Sequence, residues 1–127
     1  MNPCPFCSMD KNRIIHEDDL TYIIRDAYPI TKGHTLIIPK RHVESFDQIS
    51  VQELQEMMLD SLYKAKLEID LEYSPDGYNI GINDGAVAGQ TVNHLHLHII
   101  PRYKGDCPDP RGGIRWIMPN KAKYWRD

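Results

Sequence analysis

The apolar positions of this chain mark out its elements before any chemistry is considered. The stretch TYIIRDAYPITKGHTLIIPKRH reads as two strands, residues 21–26 and 34–39, each rich in β-branched and apolar side chains. Tyr28-Pro29 and Lys32-Gly33 supply the turn between them, and Pro39 closes the second run. Ser50 opens a helix, and Glu53 three residues later completes a capping box. Val51, Leu54, Met58, Ala65 and Ile69 recur at helical steps with Met57 and Leu62 beside them, predicting one apolar stripe. Glu53, Glu56, Asp60, Lys64 and Lys66 fall off it. YSPDG is turn chemistry. YNIGIN alternates, with Tyr78, Ile80 and Ile82 on one face of a half-buried strand.

A loop of small residues, DGAVAGQ, then leads into NHLHLHII, read as a last strand that starts at the histidines. Beyond Pro101 the chain turns rich in Pro, Gly and Arg and ends KAKYWRD. The order ββαββ followed by an irregular tail predicts an α+β domain with a mainly antiparallel sheet and one long helix. A single domain over 1–127 is expected, with its core at about 4–102 and the tail at 103–127.

Composition narrows the functions. The 127 residues carry a net charge of −3, so no basic field recruits nucleic acid. No window of about 18 apolar residues exists, so no membrane partner is expected, and the N-terminus does not read as a leader. Three cysteines, two of them only three positions apart, fit a reducing compartment, and a cytoplasmic location is expected.

His94, His96 and His98 occupy every second position, with Leu95, Leu97 and Ile99 between them. On a strand the three imidazoles share one face at roughly 6–7 Å spacing while the apolar residues supply the burial. Burial of the other face explains a strand but not a row of histidines. Neutral imidazoles ligate metals. An imidazole is equally a nucleophile toward phosphorus when a neighbour fixes its tautomer. A plain surface strand is the third reading. The preceding loop favours phosphorus chemistry: Gly85 and Gly89 let backbone approach an anion, and Gln90 and Thr91 carry donors.

GQTVNHLHLHII resembles the signature of the histidine triad superfamily, and GHTLIIPKRH resembles that superfamily's other motif. The likeness spans about residues 4–102, and it looks closer to the fragile-histidine-triad and bacterial diadenosine-polyphosphate-hydrolase-like branch than to the phosphoramidase branch. The resemblance implies cleavage at the α-phosphate of a nucleotide through a nucleotidyl-histidine. It makes His96 the nucleophile, with Gln90, Thr91 and His98 as donors to the phosphoryl oxygens and His98 as proton donor to the leaving group. Asp26 matches the ribose-binding position, Asn83 a sugar or phosphate contact, Gly89 the phosphate loop and His34 an active-site neighbour. Ile24 and Phe6 are expected to sandwich a base. Asp26 and Asn83 also read as turn residues, and His34 as a sheet histidine.

Cys4 and Cys7 form a C-x-x-C half-site, and His42 and His94 are available as its other half. By likeness to the galactose-phosphate uridylyltransferases, the four are expected to hold a structural Zn²⁺. Two unligated thiols or a redox pair are the alternatives. Cys107 reads as a surface thiol, and Arg111 and Arg115 as either a solvated arm or a second phosphate contact. The family habit implies a homodimer through the helix and adjoining strand. A purine nucleotide or dinucleoside polyphosphate is the expected substrate, with adenosine phosphoramidate hydrolysis, a nucleotide-binding module without turnover, or a zinc hydrolase as alternatives.

Overall fold

The computed structural model describes residues 4–126. The outermost positions of the expected domain, 1–3 and 127, and with them the last residue of the KAKYWRD tail, lie outside the described residues. A 3₁₀ turn, Lys11–Arg13, leads into β1 (Ile14–Glu17), β2 (Thr21–Arg25) and β3 (Thr35–Pro39). A long helix follows in three continuous pieces: α1 (Val51–Gln55), a π-helical segment (Glu56–Ser61) and α2 (Leu62–Tyr73). Then come β4 (Gly77–Ile82), a 3₁₀ turn at Ala86–Ala88, and β5 (Leu97–Arg102). The expected α+β class is present: a five-stranded sheet in the order β1-β2-β3-β5-β4, with antiparallel neighbours throughout.

Alternation along the strands divides the core in two. Ile23, Ile37, Leu97 and Ile99 pack one face against Met57, Ala65 and Ile69 of the helix. Ile24, Leu36 and Ile38 face the other way, against Phe6, Met9 and Ile14. Leu36 pairs with His98 across β3 and β5, so the histidines belong to this second face.

Four features differ from the sequence reading. β1 is an additional edge strand, of only four residues with alternating exposure, too short to stand out as a periodic run. β5 starts at Leu97 rather than at the first histidine, because Leu97 is the first residue to pair with both neighbours, Ile37 and Ile82. Upstream of it, Leu95 N–H donates to Val43 O at 2.8 Å, which draws the chain toward the segment after β3.

The buried row of the helix is Glu53, Met57, Ser61, Ala65 and Ile69, whereas Val51 is 67% exposed. A step of four residues rotates an α-helix by about 40° too far to hold one row, and the wider π turns at Glu56–Ser61 absorb that drift. Glu53 lies inside because Arg41 pairs with it at 2.7 Å and Ser50 completes the capping box. Finally, the tail is partly ordered, with a 3₁₀ helix at Gly113–Ile117 and α3 at Pro119–Ala122. Arg115 is committed there to the carbonyls of Lys121 and Ala122, and Arg111 pairs with Asp109 and stacks over Trp125. Both arginines therefore brace the arm. Cys107 is half-buried and 3.1 Å from Arg102 Nη2, so it is not a plain surface thiol.

Candidate functional site

A cavity of about 510 Å³ opens on the second sheet face. His96 and His98 line it, with His34 and Asp26 from the β2–β3 region and Asn83, Gly89, Gln90 and Thr91 from the loop before β5. Asp26, His34, Asn83, Gly89, Gln90, Thr91 and His98 thus share one cavity, although nothing in their sequence separation required it. Gly85 and Gly89, with φ of 99° and 93°, give the loop its shape, at torsions that L side chains rarely adopt.

His96 is 8% exposed, and its Nδ1 lies 2.8 Å from the His94 carbonyl oxygen. A carbonyl only accepts, so Nδ1 carries the proton and Nε2 keeps a free lone pair. The next two rings are ordered by the same logic. Ile30 N–H donates to His34 Nδ1 at 3.2 Å, which leaves the His34 proton on Nε2. That proton is donated to His98 Nδ1 at 2.9 Å, with Asp26 Oδ2 at 3.4 Å as a weaker second acceptor. His98 in turn carries its proton on Nε2. One backbone amide therefore sets the tautomers of two imidazoles in series.

Burial, the neighbouring His96 and His34, and only partial compensation from Asp26 hold His98 down to about pKa 4. His34 is lowered as well, chiefly by burial. His98 is thus a neutral hydrogen-bond donor at ordinary pH rather than an imidazolium. Asp26, His34 and His98 also converge closely enough to suggest a metal. The amide bond to His34 Nδ1 argues against it, since His34 Nε2 would have to lose its only proton to ligate.

Several side chains depart from their expected parts. Gln90 lines the cavity, but its Oε1 accepts from Gly85 N–H, and its amide hydrogens go to the carbonyls of Glu44 and Val92. It braces the loop. Asp26 does cap its turn, accepting from Tyr28 N–H through Oδ1, and still turns Oδ2 toward His34. Ile24 is fully buried in the core cluster, so Leu36 rather than Ile24 joins Phe6 in the apolar lining of the cavity. Arg13 also lines the cavity, held by the Arg25 carbonyl at 3.1 Å. No pattern in KNR signals this, because the cation is brought there by the edge strand that the sequence left unmarked.

On the far side of His96, Cys4, Cys7, His42 and His94 bring one donor atom each to within 4.8 Å of one another. Cys4 Sγ and Cys7 Sγ lie 3.4 and 3.5 Å from His94 Nδ1, and Cys7 Sγ lies 3.2 Å from His42 Nδ1. Metal–S bonds of 2.3 Å and metal–N bonds near 2.0 Å give a tetrahedron with edges of roughly 3.3–3.8 Å, close to these separations. His94 Nε2–H donates to Pro39 O at 2.8 Å, which turns the lone pair of Nδ1 toward the cysteines. The donor set fits a tetrahedral metal ion.

A family model, the HIT domain, matches residues 9–105. An uncharacterized HIT-like protein of Methanocaldococcus jannaschii is 42% identical over 107 residues, 81% of each chain. The crystal structure of a zinc-bound histidine triad family protein from Mycobacterium smegmatis superposes with a TM-score of 0.71 at 36% identity, covering 84% of each chain. The asymmetrical bis(5′-nucleosyl)-tetraphosphatase of Schizosaccharomyces pombe is 38% identical over 95 residues, which span 75% of this chain and 52% of that protein. Among the described residues, no helix is long and apolar enough to cross a membrane.

Proposed function

Because this chain belongs to the HIT domain family, we propose that it is a nucleotide hydrolase or nucleotidyl transferase that cleaves at an α-phosphate through His96. The observation that carries this reading is the 2.8 Å bond from His96 Nδ1–H to the His94 carbonyl, which leaves Nε2 unprotonated at the wall of the cavity. Nε2 attacks the α-phosphorus, the bond from phosphorus to the leaving group breaks, and a nucleotidyl-histidine forms. The positive charge that the ring gains is stabilised by the same carbonyl. Water then attacks phosphorus, giving up a proton, and releases the nucleoside monophosphate and His96.

His98 donates its Nε2–H to the phosphoryl or leaving-group oxygen, and Thr91 and the Gly89 backbone surround the phosphate. Asp26 and Asn83 hold the sugar, and Phe6 and Leu36 enclose the base. Gln90 acts by fixing the phosphate loop. His34 acts by fixing the His98 tautomer.

The low proton affinity of His98 favours an anhydride over a phosphoramidate. An oligophosphate leaves as an anion and needs no full proton, whereas an amine must be protonated as it departs. AMP release from diadenosine tetraphosphate, diadenosine triphosphate, adenosine phosphoramidate and lysyl-adenylate tests this directly. The two dinucleotides are expected to have the highest kcat/KM, and exclusive cleavage of the phosphoramidate would overturn the anhydride reading.

Cys4, Cys7, His42 and His94 are assigned to a structural Zn²⁺, which ties the N-terminal segment to the residues before β5. When bound it supplies cross-linking, since four protein ligands leave no open position. The relative from Mycobacterium smegmatis is described as zinc-bound, which supports the choice of metal. Tag-free protein should contain about one zinc per chain. A content near zero after zinc-supplemented growth would sink the assignment. Thiolate ligands suit the reducing conditions of the cytoplasm, where we expect the protein to act.

The groove formed by Met58, Leu59, Leu62, Tyr63 and Ile80, beside the outer edge of β4, supports a homodimer. Sedimentation at twice the 14.7-kDa chain mass is the expected result, and sedimentation as a monomer at micromolar concentration would refute it.

A further inference from the structure

The two cysteines of the metal cluster bracket Phe6 in sequence, and Phe6 lines the nucleotide cavity. Its ring meets His94 edge-on at 5.7 Å and the nucleophile His96 edge-on at 5.1 Å. One residue therefore touches a metal-cluster ligand, the attacking ring and the space where the base is expected.

The segment that carries Phe6 is closed on itself, with both the backbone N–H and the Oγ of Ser8 donating to Cys4 O. Its attachment to the body runs through side chains. Cys4 and Cys7 approach His94 and His42, and Phe6 leans on the cluster of Ile24, Leu36 and Ile38. Metal bonds at Cys4 and Cys7 would anchor the turn on both sides of Phe6. With thiols in place of metal bonds, the Cys–His approaches are weaker, and the packing of Phe6 on the core carries more of the anchoring.

We propose that Phe6 couples the metal cluster to the nucleotide cavity: metal on the four ligands holds the Phe6 ring as a fixed wall, and a nucleotide against that ring holds the metal in return. This rests on the nucleotide and zinc readings above. A wall that is already in place lowers the ordering cost of the incoming base. Linkage then makes the effect reciprocal, so a nucleotide that gains affinity from the metal must raise metal affinity by the same factor. Phe6 is a positioning residue in this scheme, and the coupling passes through its ring rather than through the catalytic bonds.

The test uses the zinc-loaded full chain, with AMP and a chromogenic chelator as probes. Saturating AMP is expected to slow transfer of zinc to the chelator by about tenfold, within the usual range of coupling between two sites. In Phe6→Ala, AMP should change the transfer rate by less than about twofold. AMP affinity should fall when wild-type protein is stripped of zinc, by the factor that AMP adds to zinc affinity at equilibrium, with circular dichroism reporting that the fold persists. The release measurement needs no stripped protein and stands even where removal of zinc unfolds the chain.

A wild-type release rate indifferent to saturating AMP would overturn the coupling. Full slowing in Phe6→Ala would remove Phe6 from it. Failure of zinc-loaded wild type to bind AMP at all would overturn the nucleotide reading itself, and the coupling with it.

Discussion

Replacing His96 by asparagine is expected to lower AMP release from diadenosine tetraphosphate by roughly a thousandfold or more, about 4 kcal/mol of transition-state stabilisation. Asparagine is the informative replacement because it keeps the local support. Its side-chain N–H can donate to the His94 carbonyl as His96 Nδ1–H does at 2.8 Å, and its bulk still faces Phe6. What it lacks is a second nitrogen with a free lone pair. The phosphate loop and His98 would still bind the substrate and polarise it, so a small residual rate is expected rather than none.

The same comparison separates the alternatives. Equal and negligible release by wild type and His96→Asn, with AMP still bound, would leave a nucleotide-binding module. A zinc hydrolase would lose its turnover at saturating substrate at once on chelation while the fold persisted. A structural zinc predicts instead that chelation lowers thermal stability and substrate affinity, with turnover at saturation falling only with the fold.

The chemistry of the site was more legible in the sequence than its geometry. The regular spacing of His94, His96 and His98, the glycines before them and the C-x-x-C pair are local patterns, and the residues they single out line the cavity or meet in the Cys/His cluster. What stayed hidden depended on contacts between distant segments. Periodicity could not show that the three histidines serve different ends. His94 is turned away by the Pro39 carbonyl, His96 is oriented by its own backbone neighbourhood, and His98 is set by His34 across the sheet.

Gln90 looked like a phosphate donor because an amide in a glycine loop offers hydrogens. Only the fold shows Glu44 and Val92 taking them. Ile24 and Leu36 are neighbours on one face, and the strand pattern could not tell which of the two is covered. The helix failed for a different reason: its register slips through a π segment, so a 3.6-residue template put the apolar stripe on the wrong side at Val51 and missed a buried Glu53.

The same buried imidazoles make stability depend on pH. His98 titrates near 4 in the fold and near 6.5 when unfolded. Its partners are His96 in its own segment, His34 at the start of β3 and Asp26 after β2, and only Asp26 favours the charged form. Between these two values the unfolded chain binds more protons than the folded one. Stability therefore rises with pH through the window, and it is lost as pH falls from about 6.5 toward 4.

One group with this shift contributes on the order of 3 kcal/mol across the whole window, and about 2 kcal/mol is already gone by pH 5. His34 is shifted in the same direction and steepens the trend. Urea midpoints at pH 7, 6 and 5 would measure it, and His98→Gln isolates the part that belongs to His98, because both proteins share every other titrating group. A flatter pH dependence in His98→Gln is the expected result, through loss of the ring that resists protonation. Parallel curves would mean that His98 is solvated enough to charge freely. That outcome would also return it to the role of a full proton donor and reopen the case for an amine leaving group.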